Sequence, residues 1–587
     1  MAGKNPFTVV SPEGLSAEDV IRLFVEVAPE YNQVRNSGHA MIIGSRGTGK
    51  SMMFRYLLPD VQTVKNNVCF SQLPLLAIHV PIKNAQLQLT ELKCLDDIHS
   101  SALINEHFLV VHILIVILRY LKQYETEIRV EDNVQLEKFI DECFIDGLVA
   151  CGCKKVPLVD VSKKDVFTQM HKYALTLYSE FIGFVSQADP LIPMQGAAEI
   201  RYNLPLLSYQ LFLLPFMRGL RSVPGFPNCN FYLLIDDADN LNLTQTKILN
   251  SWLSCRSFPD VNLKVSAQLG KYKTFYNVNG IFIESPHDYH EVNICERFSK
   301  DFPKYRDRLR EIVERRLKES GANVSAERYF PVCEDQEAAI RSLIDNIKRT
   351  ELCDGKPCRP NDAPRMARAV YIRELGVGQN VRSSYRYAGF EQLVWLSSGI
   401  VRYFLDAAAT MYDRVRKNQT VTVPIATIPV ADQDAVIRMR ADDRMFLQFA
   451  KMSIGMEGER QFLVRKLQNL VLSIGETFHS KLVSKDVERK FFSIALTSTP
   501  TPDVLEVLNF GVEHGYFHCA SIGNKAGTGK TWLYPLNKSL APHFGLDPIG
   551  DAGYLSVTND SLREAIAAKR QLRVEQEGVC SQMELFD

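Results

Sequence analysis

Short apolar runs alternate with long amphipathic segments along the first half of the chain. Residues 73–82 and 231–235 are nearly continuous apolar runs, and residues 261–268 alternate apolar and polar side chains, so each predicts a strand. Between the first two strands, helical periodicity recurs near residues 99–126, 132–149, 164–187 and 206–220. We therefore expect an α/β fold whose parallel sheet is interrupted by a large helical insertion at about residues 85–225.

The second half of the chain carries mostly helical patterns and then a strand-rich stretch. Periodicity predicts a charged helix at residues 302–321 and further helices at about 434–476, 502–514 and 559–575. The strand-like runs 516–522 and 532–534 flank a Gly/Lys turn, which predicts a β-hairpin. A chain of this length exceeds one core, and the expected divisions are residues 1–295, 296–420, 421–555 and a tail at 556–587.

A glycine-rich turn joins the apolar strand at residues 41–43 to a helical pattern that stops at Pro59. The turn fits G-x-x-x-x-G-K-S and consists of Gly44, Ser45, Arg46, Gly47, Thr48, Gly49, Lys50 and Ser51. Its N–H groups favour phosphate, Lys50 supplies a charge for the β- and γ-phosphates, and the Ser51 hydroxyl suits Mg²⁺. A turn that binds nothing would explain neither side chain. The expected ligands are ATP and Mg²⁺.

Two acids follow the strand at residues 231–235. Open parallel sheets place ligands at the carboxyl ends of their strands, which is where Asp236 and Asp237 stand. Beside a P-loop, we expect Asp236 to hold Mg²⁺ and Asp237 to orient and polarise the attacking water. An acidic pair after a strand can instead cap the next helix. Together with the P-loop, the pair predicts an ATPase.

The strand at residues 261–268 is expected to lie between these two elements. A polar side chain there would reach the γ-phosphate or the water, so Gln268 or Ser266 is the candidate sensor residue. Polar residues at strand ends are also common without such a role.

Two further groups of residues allow more than one interpretation. Tyr31 follows an amphipathic helix that Ser16 would cap, and it is either an adenine contact or a surface tyrosine. Five arginines lie at positions 365, 368, 373, 382 and 386, with three tyrosines among them. They would contact phosphates or the nucleotide of a neighbouring subunit.

Composition and charge narrow the class of protein. Apolar residues are 46% and charged residues 23%, as in globular proteins, and Lys+Arg and Asp+Glu both number 68. Any nucleic-acid surface therefore requires local segregation of charge. The 13 scattered cysteines indicate reduced thiols and a cytoplasmic location. The apolar run at residues 108–118 is too short to span a bilayer, so we expect a buried helix and no membrane partner.

A third motif makes the resemblance to a known family specific. Ser398, Gly399, Ile400, Val401 and Arg402 lead into an Ala-rich helix. With the P-loop, the acid pair and the polar strand, this stretch resembles the sensor 2 motif of AAA+ ATPases, most of all the bacterial ORC-like proteins of the origin-recognition branch. The resemblance covers residues 39–59, 231–268 and 396–406, and the long insertion departs from it. It implies a helical lid at residues 296–420 with Arg402 on the γ-phosphate.

A second glycine-rich string near the C-terminus is a decoy. Residues 526–531 read A-G-T-G-K-T, but Asn524 stands where the first glycine of a P-loop is required. Strand-like runs flank the string, and Pro535 excludes a long helix directly after it. The hairpin with its preceding helix resembles the winged-helix domain that follows the lid in origin-recognition proteins. Lys525 and Lys530 would then contact the phosphates of double-stranded DNA, or the hairpin would only pack on the ATPase domain.

Two functions of different classes follow. The first is an ATP-hydrolysing AAA+ switch that acts on DNA or on a DNA-bound partner. The second is a signal-transduction NTPase that senses a protein partner through its insertion and does not touch DNA, for which the resemblance to bacterial homologues suggests host defence. Either function is compatible with a homo-oligomer.

Overall fold

Five apolar segments of the first half form a parallel sheet in the computed structural model. The strands are β1 (Ala40–Gly44), β2 (Leu75–Pro81), β3 (Asn230–Asp236), β4 (Val261–Gln268) and β5 (His290–Asn293). Their order is β2-β3-β4-β1-β5, and every neighbouring pair is parallel. The structure describes residues 5–26, 28–83, 101–128, 133–161, 163, 165–187, 204–255, 260–294, 298, 301–349, 352–353, 356–357, 362–376, 385–418, 424–454, 458–484, 490–523, 530–550 and 553–578.

Contacts divide the chain into two compact units. The N-terminal unit comprises Ser11–Gly44 and Gly49–Ile294 and contains the parallel sheet. The C-terminal unit comprises Met1–Val10, Ser45–Thr48 and Cys295–Asp587.

The parallel sheet is covered on both faces, which explains the near-continuous apolar runs. Met41 and Ile43 of β1 belong to one buried cluster, whereas Ala40 and Ile42 belong to another. The same alternation continues in β2 and β3, as expected when successive side chains leave opposite faces of a strand. The expected α/β fold with a buried parallel sheet is confirmed.

Helices accompany this sheet, and half of the α-helices described in the N-terminal unit lie between β2 and β3. The insertion contains Ser101–Gln123, Asn133–Phe139, Asp146–Ala150, Val166–Gln187 and Leu214–Gly219. The other helices of the unit are Ala17–Leu23, Ala28–Arg35, Lys50–Tyr56, Pro59–Asn66 and Leu243–Leu253. Ser16 caps the first of them by accepting from the Asp19 N–H at 3.1 Å. The predicted helical insertion is confirmed.

The most apolar helix of the insertion is a core helix. Ala102–Gln123 is long and apolar enough to cross a membrane by length and composition alone, but 72% of its most apolar window is buried inside the protein. Phe108, Ile113 and Leu114 belong to the same apolar cluster as one face of the sheet. The expected buried helix is thus confirmed.

The C-terminal unit begins with helices that precede a second sheet. The first group is Phe302–Glu319, Ala326–Tyr329, Glu334–Arg349, Asp362–Gly376, Phe390–Leu396 and Val401–Asn418. A small antiparallel ribbon, β6 (Leu352–Cys353) with β7 (Lys356–Pro357), lies within this region. The second group is Val430–Met445, Leu447–Ser453, Glu459–Val483, Pro502–Glu513, Ala541–Phe544 and Asn559–Ala568.

The second sheet is mixed. It consists of β8 (Phe491–Leu496), β9 (Ala520–Gly523), β10 (Lys530–Pro535), β11 (Gly553–Val557) and β12 (Val574–Gly578), in the order β12-β11-β8-β10-β9. β11 runs parallel to β8, and the other pairs are antiparallel.

The strands on either side of residues 524–529 pair as a β-hairpin, as their sequence predicts. Lys530 of β10 pairs with Gly523 of β9, and Leu533 pairs with Ala520. Lys530 therefore begins a strand, whereas the lysine of a P-loop begins a helix. The hairpin prediction is confirmed, and residues 524–529 between the strands lie outside the described part of the chain.

The predicted helix near residues 559–575 is too long. The helix ends at Ala568 because Lys569 adopts a left-handed backbone conformation, with a φ of 53°. Val574–Gly578 then forms β12 and pairs with β11. Helical periodicity did not reveal the strand because Val574 is followed by polar and acidic residues that are typical of a solvent-exposed edge.

Candidate functional site

The register of the parallel sheet brings the ends of three strands to one edge. β4 lies between β1 and β3, with Gln268 opposite Gly44 and Val265 opposite Ile235. Because parallel strands end at the same edge, the residues that follow β1 and β3 and the polar residues of β4 meet there. The predicted position of the polar strand between the other two elements is confirmed.

Two glycines of the P-loop adopt backbone angles that side chains disfavour. Gly47 has a φ of 91° and Gly49 a φ of 105°. Between them, Thr48 is buried, and its hydroxyl donates to the Ser45 carbonyl at 3.0 Å. The helix Lys50–Tyr56 begins directly after Gly49, so the chain forms the loop-to-helix turn that the motif predicts. The first N–H groups of such a helix lack intrahelical acceptors and suit an anion.

Lys50 and Ser51 are the first two residues of the helix Lys50–Tyr56, and their side chains contact residues at the carboxyl ends of the strands. The Lys50 ammonium is buried and donates to the Gly44 carbonyl at 2.7 Å. The Ser51 hydroxyl hydrogen-bonds to the Asp236 carboxylate. The structure therefore brings the hydroxyl predicted to bind Mg²⁺ to the acid predicted to bind it.

Asp236 is a buried carboxylate with three side-chain donors around it and a fourth donor in the Asp237 N–H, at 3.1 Å. It is 3% exposed, the Ser266 hydroxyl donates to one of its oxygens, and His79 Nε2 donates to the other at 3.1 Å. Burial by itself would raise the pKa of Asp236, but the hydrogen bonds from His79, Ser266 and Ser51 and the charge of His79 hold this pKa below its ordinary value. Asp236 is therefore an anion fixed in one orientation.

This donor set fits Mg²⁺. Carboxylate and hydroxyl oxygens are the ligands that Mg²⁺ prefers, and it commonly takes one or two from the protein and the rest from phosphates and water. Across the described ranges, no group of three or more His, Cys, Asp and Glu side chains is arranged to hold a metal ion by itself. Asp236 and Ser51 thus suit a metal that arrives with a nucleotide.

Asp237 differs from Asp236 in its backbone conformation, its hydrogen bonds and the direction of its pKa shift. Its backbone is left-handed, with a φ of 57°, and its N–H lies 3.0 Å from the Ser266 hydroxyl oxygen. Burial raises the pKa of the Asp237 carboxyl, and the charges of Asp236 and Asp239 raise it further. Among the described residues, no donor is hydrogen-bonded to this carboxylate. It is therefore available to a water molecule.

The two candidate sensor residues occupy different places. Ser266 lies against Asp236 and the Asp237 N–H, so it belongs to the acid cluster. Gln268 lies at the end of β4, where its N–H donates to Asp239 Oδ1 at 2.9 Å. Gln268 is therefore at the edge, level with the end of the P-loop strand, whereas Ser266 orients the acids.

Sequence reasoning missed His79 and Asp239. His79 is the one titratable side chain in β2, the strand next to β3, and it donates to Asp236, the acid predicted to bind Mg²⁺. Asp239 holds the end of β4 through the Gln268 N–H. A histidine near the end of an otherwise apolar strand was the available signal for the first, whereas the second required knowledge of the loop conformation.

The sensor 2 segment begins with an unusual turn. Ser398 and Gly399 both have left-handed backbones, with φ values of 51° and 81°, and the helix Val401–Asn418 follows. Within the C-terminal unit, the Arg402 N–H donates to the Gly47 carbonyl at 3.1 Å. A methyl group added at Gly47 would approach the Arg402 Cβ to 2.7 Å. The backbone of Arg402 thus lies against a P-loop residue.

The expected surface position of Tyr31 is wrong. Tyr31 is 2% exposed and packs with Phe24 and Tyr56 in an apolar cluster. Burial raises its pKa to about 12. The sequence did not reveal this buried position because the polar neighbours of Tyr31 lie on the opposite, exposed side of the helix Ala28–Arg35.

Two of the five arginines at residues 365–386 form ion pairs with acids of the same chain. Arg368 forms two hydrogen bonds with Glu337, at 2.8 and 2.7 Å, and Arg386 pairs with Asp434 at 3.0 Å. These two are structural ion pairs rather than free phosphate contacts. Arg382 and the Arg365 side chain lie outside the described residues.

The structure describes little of the two lysines predicted to contact DNA. Lys525 lies outside the described residues, and only the backbone of Lys530 is described, at the start of β10. Trp532, two residues further along β10, is 50% exposed.

Comparison with known proteins relates most of the chain to one family. A family model described as ORC-CDC6-like matches residues 5–353 and 354–557. A search of curated proteins finds no match. Among solved structures, the crystal structure of Cdc6p from Pyrobaculum aerophilum aligns with 97% of this chain and 98% of its own, at 10% identity and a TM-score of 0.27. The assignment rests on the family model.

Proposed function

Because the chain belongs to the ORC-CDC6-like family of AAA+ ATPases, we propose that it binds ATP with Mg²⁺, hydrolyses it, and acts as a switch on DNA or on a DNA-bound partner. The observation that carries the proposal is the meeting of Lys50, Ser51 and two acids at one edge of a parallel sheet. A phosphate-binding lysine, a metal-binding hydroxyl and strand-end acids are the groups that phosphoryl transfer requires.

Binding is assigned to the P-loop. The N–H groups at the start of the helix Lys50–Tyr56 would receive the phosphates, and the helix dipole adds to their attraction. Lys50 would exchange its bond to the Gly44 carbonyl for one to a phosphate oxygen. Such a bond between charged groups is shorter and stronger than the bond it replaces.

Asp236 and Asp237 are assigned different roles, metal binding and orientation of the attacking water. Mg²⁺, when bound, neutralises phosphate charge and polarises the γ-phosphoryl group. Asp236 and Ser51 would hold it, and His79 and Ser266 keep the Asp236 carboxylate in place. Asp237, whose carboxylate has no donor among the described residues, would orient the attacking water and accept a hydrogen bond from it.

Two further side chains are assigned to the γ-phosphate. Gln268 at the end of β4 would contact the phosphate or the water. Arg402 would contribute a positive charge from the lid, as the sensor 2 resemblance implies. The assignment is supported by the hydrogen bond from the Arg402 N–H to the carbonyl of Gly47, a P-loop residue of the same unit.

Action on DNA is proposed from the C-terminal unit. The helix Pro502–Glu513 precedes the antiparallel hairpin of β9 and β10, and β10 pairs with β8, which supports the winged-helix-like interpretation. Lys525 and Lys530 would contact phosphates from the hairpin. Since the chain carries 68 basic and 68 acidic residues, such contacts must be local.

A binding experiment with short duplex DNA tests the switch. Fluorescence anisotropy would be measured with a non-hydrolysable ATP analogue and with ADP, over a series of salt concentrations. We expect tighter binding in the ATP state and a salt slope that falls by about 0.9 for each phosphate contact removed, hence by about 1.8 for the variant Lys525→Ala/Lys530→Ala. The matched control, Lys154→Ala, changes an exposed lysine of the insertion and should leave the slope unchanged.

The same experiment separates the two candidate functions. A protein that binds and hydrolyses ATP but has no affinity for duplex DNA in either nucleotide state would be a signal-transduction NTPase with a protein partner. A protein that binds DNA equally with ATP and ADP would not be a switch.

A further inference from the structure

A cavity of about 470 Å³ lies among helices of the C-terminal unit. The helices Phe390–Leu396, Val401–Asn418, Val430–Met445 and Leu447–Ser453 contribute its lining. Its size is that of pockets that hold drug-sized molecules. All of its lining residues belong to one unit, and none of them is among the residues assigned to the nucleotide.

The walls of the cavity are largely apolar. Leu396, Phe404, Ala407 and Ile437 line its interior and are buried. At its mouth, Met439 is 44% exposed and Leu447 is 48% exposed. An apolar or aromatic group would gain free energy by leaving water and packing against these walls.

Two guanidinium groups interrupt the apolar lining. Arg440 and Arg444 are one turn apart on the helix Val430–Met445 and both line the cavity. Arg440 donates to the Asp406 carbonyl at 2.6 Å and to the Thr410 hydroxyl at 2.7 Å. Arg444 donates to the Ser539 hydroxyl at 2.6 Å and to the Gly515 carbonyl. All of these acceptors are neutral.

The two arginines have no anionic partner in the described part of the chain. Neither guanidinium lies within salt-bridge distance of a carboxylate there, and the Nε atom of each is buried without an acceptor. Arg444 is 8% exposed, and its guanidinium lies 4.9 Å from the centre of the Tyr403 ring. A buried charge without a counter-ion is costly, and the face of an aromatic ring offsets only part of that cost.

The two acids that line the cavity, Asp406 and Asp443, do not neutralise the positive charge of the two arginines. Asp406 and Asp443 are near enough to favour the charged form of Arg440, yet burial outweighs them and lowers the pKa of this arginine. Lys451 adds a third cation to the lining. The buried histidine His518 has its pKa lowered to about 4 by burial and by the positive charges of Arg444 and Lys538. The surroundings of Arg444 are therefore rich in positive charge.

We propose that this cavity binds a small amphipathic anion. The apolar or aromatic body of the ligand packs against Leu396, Phe404 and Ile437, and a single carboxylate or phosphate accepts hydrogen bonds from Arg440 and Arg444. The anion supplies the counter-charge that these arginines lack, which is why an anionic ligand is favoured over a neutral one of the same shape. This site does not depend on the ATPase proposal, since its test requires neither nucleotide nor DNA.

A pair of dyes tests the proposal on the full-length protein. Anilinonaphthalene sulfonate is a small aromatic anion, and phenylnaphthylamine is its neutral counterpart, and the fluorescence of both rises in apolar surroundings. We expect the parent protein to bind one anionic dye per chain in a saturable manner. Arg440→Leu keeps the apolar stem but removes the charge, and it should weaken binding of the anionic dye about tenfold or more while leaving the neutral dye unaffected.

Matched variants separate the cavity from other apolar surface. Arg465→Leu makes the same change at an exposed position outside the lining and should bind both dyes like the parent. Met439→Glu places a negative charge at the mouth of the cavity and should weaken only the anionic dye, whereas Met439→Gln should not. The two Met439 variants decide the matter if circular dichroism shows that Arg440→Leu is unfolded.

The proposal is overturned by any of three results. In the first, Arg440→Leu and Met439→Glu bind the anionic dye with unchanged affinity. In the second, these variants lose affinity for the neutral dye as much as for the anionic dye. In the third, binding of the anionic dye to the parent does not saturate at about one dye per chain.

Discussion

Asp236 and Asp237 are adjacent in sequence, but their carboxyl groups lie in opposite environments. Donors from three elements surround Asp236 and lower its pKa, whereas burial and two neighbouring carboxylates raise that of Asp237. Environments that push the pKa values of two nearby acids apart are a recurrent way of giving them separate roles. Asp237 itself adds to the difference, since its backbone N–H donates to the Asp236 carboxylate at 3.1 Å.

This difference predicts the behaviour of Asp237→Asn. The variant should bind ATP and Mg²⁺ like the parent because Asp236, Ser51 and Lys50 are unchanged. Its turnover should fall about 10²- to 10⁴-fold because an amide does not polarise water as a carboxylate does. Phosphate release under saturating ATP measures the effect. Asp236→Asn is the contrasting variant and should lose the Mg²⁺ dependence of ATP binding. Parental turnover in Asp237→Asn would exclude Asp237 as the catalytic carboxylate.

Lys264 of β4 gives the protein a pH-dependent stability. Its ammonium donates to the Asn36 and Gly38 carbonyls at 2.6 and 2.7 Å, and burial lowers its pKa from 10.5 to about 7. Below about pH 7 the folded protein holds the buried charge at full cost, and this cost disappears as the pH rises from about 7 to 10.5. We therefore expect the parent to gain stability over this range relative to Lys264→Met.

Urea unfolding of the parent and of Lys264→Met at several pH values measures this difference. The matched control is Lys154→Met, which removes an exposed lysine and should follow the parent at every pH. A constant difference between parent and Lys264→Met across the range would show that the lysine titrates normally.

At the scale of elements, the turn before the helix Val401–Asn418 concentrates backbone strain. Ser398 is left-handed although it carries a side chain, and its hydroxyl oxygen lies 3.0 Å from His518 Nε2 and accepts from the Lys538 N–H at 3.2 Å. A non-glycine residue in this region costs of order 1–3 kcal/mol and persists only where its surroundings enforce it. The contacts to His518 and Lys538 provide that enforcement.

Gly399→Ala should therefore destabilise the C-terminal unit. The alanine would adopt a left-handed backbone, and its Cβ would approach the Phe298 Cβ to 2.9 Å. We expect a loss of about 1–3 kcal/mol in thermal or urea unfolding, with weaker ATP turnover because Arg402 follows this turn. Gly183→Ala is the control, since an added Cβ meets nothing within 4 Å there, and it should gain about 0.5–1 kcal/mol in its helix. Equal stability of Gly399→Ala and the parent would contradict the strain argument.

Elements with a strong local pattern could be predicted from the sequence, and long-range pairing could not. The P-loop, the strands β3 and β4 and the hairpin of β9 and β10 follow from motif spacing and periodicity alone. His79 stands out as a histidine near the end of an apolar strand, but its contact with Asp236 depends on the pairing of β2 with β3, which the sequence does not reveal. Tyr31 and β12 were misjudged because burial of one and pairing of the other depend on distant residues.

At the scale of the whole molecule, charge does not identify the partner. Basic and acidic residues are equal in number, so the net charge of the protein does not attract nucleic acid. The insertion between β2 and β3 shares an apolar cluster with the sheet, so it is an integral part of the N-terminal unit. A partner bound to the insertion would therefore be connected to the sheet through packed side chains on one of its faces.

The number of nucleotide sites per chain distinguishes this account from one based on motifs alone. The chain contains two strings that end in G-x-G-K, but only Lys50 begins a helix, whereas Lys530 begins a strand that pairs with β9. Equilibrium dialysis with ATP and Mg²⁺ should therefore give one nucleotide per chain for the parent and for Lys530→Ala. It should give none for Lys50→Ala at comparable concentrations, because loss of a charge-assisted phosphate contact costs about 1.5–3 kcal/mol, or roughly ten- to a hundredfold in affinity. Parental affinity in Lys50→Ala would remove the P-loop from the site. Two nucleotides per parent chain, falling to one in Lys530→Ala, would instead require a phosphate site in the hairpin and would overturn the description of the C-terminal sheet.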